Sequence, residues 1–209
     1  VQKAASVPGL DASKAIQSVT KNAVKGLANT KMSAADVTAT MSTAVETVMD
    51  SLDEVEGASN LSISSLAEQV TASSLDGLAN LQQNFANDSS FEVSQAVNKI
   101  AGGAAKGARA LKQQNPNFDL ADTLGKVSQS AASNLSKVTS DPSIVSKMAQ
   151  GIQGGIDAEV AEISKADPSL AEQIKQKTKI PAFCNFNGKK ISGYGNSLTA
   201  YENKEVAFG

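Results

Sequence analysis

The sequence predicts an all-α bundle of six or seven helices from two related three-helix units, followed by a small C-terminal β tail. Three observations predict it. Apolar residues recur at spacings of three and four from about Asp11 to Lys177, and alternation at two is rare. Helix-starting residues stand at the heads of several periodic segments. The helical period stops at Ile180-Pro181. The expected division is therefore a helical bundle over 1–180 and a β tail over 181–209.

Taken in order, the first stripe is Ile16, Val19, Ala23, Val24 and Leu27, with Asp11 as N-cap. The second is Val37, Met41, Ala44, Val48, Leu52 and Val55, headed by Ser33. The third, less regular, is Leu61, Leu66, Val70, Leu75, Leu78 and Leu81. After a break near Asn84–Ser90 the fourth is Val93, Val97, Ile100, Ala104 and Ala108. The fifth is Leu120, Leu124, Val127, Ala131, Leu135 and Val138. The sixth is Ile144, Met148, Ile152, Ile156, Val160 and Ile163, and a short seventh helix runs from Pro168 to about Lys177. Asp141-Pro142 and Asp167-Pro168 each put a capping residue before a proline at the first helical position, where no N–H is needed. Gly57-Ala58-Ser59-Asn60 and Asn115-Pro116-Asn117 are turn chemistry.

The first helix aligns with the fourth at an offset of 81 residues, pairing Ala15/Ala96, Ala23/Ala104, Gly26/Gly107 and Lys31/Lys112. The second aligns with the fifth at 83, and the third with the sixth at 82. This order predicts a duplication with units of about 11–84 and 92–165, packed into one bundle with a pseudo-twofold as the simplest geometry. A glycine costs about 1 kcal/mol against alanine inside a helix, a loss offset where two backbones must approach closely. Gly26, Gly103 and Gly107 are accordingly expected at close helix packing.

Composition narrows the function. Of 209 residues 41% are hydrophobic but only 4% aromatic, so the core is thin and alanine-rich. There is no His, which removes the commonest general base and metal ligand. A single Cys excludes a thiolate zinc site and an internal disulfide. Nineteen basic against 21 acidic residues give a net charge of −2, the wrong balance for neutralising nucleic-acid phosphates. Gly102 and Gly107 have the outer spacing of a phosphate loop, but Ala108 stands where its lysine belongs and no strand precedes. Asp50, Asp53, Glu54 and Glu56 form the densest acidic cluster, read as a solvated helix end in preference to a calcium loop. Lys175, Lys177, Lys179, Lys189 and Lys190 make the bundle–tail junction basic, read as a solvated linker. Asn60, Asn87 and Asn134 open glycosylation-type triplets, which a chain rich in Asn and Ser produces by chance. No catalytic, cofactor-binding or metal-ligating residue is assigned, and the chain is read as non-enzymatic.

The tail carries the sharpest motif. Cys184-Asn185-Phe186-Asn187-Gly188-Lys189-Lys190-Ile191 leads to Gly195-Asn196-Ser197-Leu198-Thr199-Ala200-Tyr201 and then to Val206-Ala207-Phe208-Gly209. These residues resemble a short terminal module of exported proteins of Bdellovibrio-like predatory bacteria, with the pattern C-x-x-N-G-x-x-I, G-x-S-x-T-A-Y, V-x-x-G. The resemblance implies export to the periplasm, the cell surface or the medium, and implies no activity. In that pattern a second Cys follows the last Gly; the resemblance implies a disulfide of Cys184 with a thiol beyond Gly209 or on another chain, or else a free Cys184. Val1 in place of Met is what a processed chain would show. The function expected is an exported surface or secreted protein that binds a protein partner or assembles with itself. A membrane-active, pore-forming helical protein and an enzyme lacking His are the alternatives.

Overall fold

The computed structural model describes residues 11–56, 61–86, 88–180, and the backbone of 183–184 and 190–192. Seven helices longer than a single turn are described: α1 Ala12–Gly26, α2 Ala34–Asp50, α3 Ile63–Asn84, α4 Val93–Gln114, α5 Leu120–Val138, α6 Pro142–Ala166 and α7 Pro168–Lys177. A 3-10 turn, Leu27–Asn29, follows α1, and a one-turn helix, Asp53–Glu56, follows α2.

Local chemistry starts these helices where the sequence says. Asp11, Ser33, Asp141 and Asp167 accept hydrogen bonds from Lys14, Asp36, Ser143 and Leu170 N–H groups. Ser62 and Asp119 do the same for α3 and α5, on Ser65 and Asp122. Each satisfies a donor that the first helical turn leaves orphaned. Phe85 and Phe91 stack with ring centroids 4.8 Å apart, fastening the turn between α3 and α4.

The helices alternate between two layers. Helices α1, α3 and α5 lie side by side in one, and α2, α4 and α6 in the other. Neighbours within a layer run parallel: Gln17 meets Gln69 and Lys21 meets Asp76, while Glu46 meets Lys106 and Asp50 meets Gln114. Consecutive helices, though joined by short connections, touch far less. This is the stacking of helical hairpins, in which each hairpin buries one face on the next. Between the layers lies one continuous core, with Met41, Leu52, Leu66, Leu78, Ile100, Leu124, Ile152 and Ile156 at 0–1% exposure. Helix α7 closes one end across α5 and α6, burying Ala171, Ile174 and then Ile180.

Two expectations are corrected. In α1 the packed residues are Ala12, Ile16, Thr20 and Val24, while Val19 is 41% exposed and Ala23 is also exposed. The stripe is rotated because α1 packs chiefly on α3, through a narrow face that takes Thr20. A pseudo-twofold rotation alone would place α1 and α4 alike, yet among the described residues α1 is the outermost helix of its layer and α4 is held between α2 and α6, so an offset along the stack has to be added.

The β tail expected over 181–209 lies almost wholly outside the described residues. Phe183–Cys184 pairs antiparallel with Lys190–Ser192, and this pairing is all of it that is described.

Candidate functional site

Glycines set how closely the helices approach within each layer. Gly103 and Gly107, one turn apart on α4, face α2. A side chain at Gly103 would overlap the backbone of Ser42, and a Cβ at Gly107 would stand 2.5 Å from Met49 Cβ and 2.6 Å from the Glu46 carbonyl. On α6, a Cβ at Gly151 would meet the Ser94 carbonyl at 2.5 Å, and one at Gly155 would overlap the Asn98 carbonyl, both on α4. On α3, a Cβ at Gly77 would lie 2.8 Å from the Lys21 carbonyl of α1. Gly26, expected among the close contacts, has nothing within 4 Å. Its sequence partner Gly107 faces a neighbour because α4 has helices on both sides, whereas α1 is peripheral among the described residues. The difference is one of position in the layer, and the aligned residues are identical.

Ion pairs follow the same neighbours. Asp76 of α3 takes Lys21 of α1 at 3.7 Å and Lys137 of α5 at 3.5 Å. Lys106 of α4 meets Glu46 of α2 at 3.0 Å, and Arg109, the chain's single arginine, meets Glu159 of α6 at 2.9 Å. Lys177 of α7 meets Asp122 of α5 at 3.6 Å. The lysine pairs are partly exposed and contribute about 0–1 kcal/mol each, while Arg109–Glu159 is the most buried of them.

Between α3 and α5, on the outer face of their layer, runs an open groove of about 400 Å³. Glu68, Gln69 and Ala72 line it from α3, and Gln129, Ser133 and Asn134 from α5. Its floor is sealed by Ser130, whose hydroxyl donates to the Glu68 carbonyl at 2.9 Å. Gln69 receives both Ser13 and Gln17 of α1 on its Oε1, at 2.5 and 3.0 Å, which turns its amide N–H₂ away from them. Asn134 spends its N–H₂ on the Ser130 carbonyl at 2.8 Å, leaving Oδ1 as acceptor. The side chains of Glu68, Gln129 and Ser133 have no partner among the described residues. The groove is thus a mixed donor–acceptor surface with one charge.

The chemistry-bearing candidates do not assemble into a centre. Asp50, Asp53, Glu54 and Glu56 are split because α2 ends at Asp50 and a new turn begins at Asp53. Asp50 accepts from Gln114 at 2.9 Å and Glu56 from the Ile63 N–H at 3.3 Å, so these acids serve helix ends. Among the described residues no three potential ligands gather around a metal position. Lys126 Nζ does reach Ser64 Oγ at 3.1 Å, but it donates there and sits 3.6 Å from Asp122. Carboxyls held below their ordinary range are surface ones: Asp11 by the Lys14 backbone N–H, Asp88 by the Ser90 hydroxyl and Glu162 by the Lys165 ammonium. Asn134 lies within α5, half-buried, while Asn60 and Asn87 lie outside the described residues. The Cys184 side chain, and with it the disulfide, also lies outside them.

Sequence reasoning found the seam on α4 through its glycines but missed the groove. Its lining comes from two helices about 60 residues apart, as Glu68 and Ser130 show, and amides and hydroxyls carry no spacing signal. No protein-family model, curated protein or solved structure matches this chain.

Proposed function

We propose that this is an exported, non-catalytic surface or secreted protein whose helical stack is a scaffold for binding a protein partner or a second copy of itself. The observation that carries the reading is the α3–α5 groove, where Glu68, Gln129 and Ser133 offer unspent hydrogen-bonding groups on a rigid two-helix platform. Stacked-hairpin architectures use such faces for partners. Export rests on the resemblance of the tail, for which we propose a small β appendage peripheral to the bundle. The two three-helix units are read as a duplication. In each, the first and third helices pack side by side and the second lies in the other layer, with the layers exchanged between the units, which fits a twofold rotation combined with an advance along the stack. The membrane-active alternative has in its favour the glycine seams of α4 and α6. Among the described residues no helix is long and apolar enough to cross a membrane.

The test is site-specific photo-crosslinking in the producing cell, with a benzophenone side chain at Gln129 and, as control, at Lys99. One discrete adduct from position 129 and none from 99 supports the reading, and an adduct of twice the chain mass identifies self-assembly. Equal or absent adducts, or leakage of anionic vesicles at micromolar protein, overturns it.

A further inference from the structure

We draw no further inference here: the strongest candidate, the exposed side of α1 that carries Val19 and Gly26 and aligns through Gly26/Gly107 with the side of α4 that receives α2, is a stripe of small side chains, and nothing in the structure shows what covers it.

Discussion

Thr20 shows what a single buried atom costs. Its Oγ1 is buried at the α1–α3 contact with no hydrogen-bond partner, and the residue is 1% exposed. An unsatisfied buried hydroxyl costs about 1–3 kcal/mol. Valine has the same shape without the stranded oxygen, so Thr20→Val is expected to raise stability by about 1 kcal/mol, read as a higher urea midpoint at unchanged slope. The glycines give a paired test. Gly26 has helical φ and ψ of −63° and −22° with open space where a Cβ would go, so Gly26→Ala is expected to gain up to about 1 kcal/mol. Gly107→Ala puts the same methyl against Met49 and the Glu46 carbonyl and is expected to cost about 1–3 kcal/mol. Equal effects at the two sites would show that α1 and α4 are equivalent after all. The residue scale is also where a sequence is most legible. Four caps were readable from Asp and Ser beside a periodic run, because a cap is a local bond. Thr20 was not, since nothing local tells a buried threonine from an exposed one.

At the element scale each helix is legible in its period but not in its neighbours. Leu124, Val127, Ala131 and Leu135 show which face of α5 is buried, yet the pattern would serve a bundle of any topology. What selects α4 as the centre of its layer is a pair of glycine faces, Gly103 and Gly107 toward α2 and Gly102 toward Gly155 of α6. The helix ends add their own pH dependence. The Lys14 backbone N–H bonds the ionised Asp11 carboxylate at the head of α1 and lowers its pKa. A group with a depressed folded pKa stabilises above its unfolded value and ceases to do so as pH falls through the folded one. The first turn of α1 is therefore expected to fray below the ordinary Asp range of about pH 4, seen as faster amide exchange at Lys14. Asp11→Asn retains a capping oxygen without the charge and should remove that pH dependence; an unchanged profile in the variant would show that another group controls the turn.

Across the whole molecule, stability is a matter of covering the ends of two stacked layers. Among the described residues the outermost helices are α1 and α2, which turn largely polar faces outward. At the opposite end the exposed sides of α5 and α6 are covered by a different device, the short helix α7 and the residues after it. Ile174 is fully buried, Ile180 nearly so, and the Thr178 carbonyl accepts from the buried Ser128 hydroxyl at 2.9 Å. Gly125 gives α7 room: a Cβ there would lie 3.2 Å from Lys177 Cβ. Full burial of an isoleucine is worth about 1.5–3 kcal/mol, so the two isoleucines of this cap contribute a large part of the 5–15 kcal/mol by which a domain of ordinary stability stays folded. The border of the bundle is therefore expected just after Ile180. Deleting residues 182–209 is expected to leave the helical circular dichroism and the melting temperature almost unchanged, whereas deleting residues 168–209 should lower stability by about 3–6 kcal/mol and expose apolar surface that binds a fluorescent hydrophobic dye. Ile174→Ala in the full chain isolates the cap from any role of the tail, with an expected loss of about 2–5 kcal/mol. If the shorter deletion already melts the helices, the tail belongs to the core and the boundary at residue 180 is wrong. If the longer deletion costs nothing, the two-layer stack is stable with its end uncovered, and α7 is a passenger.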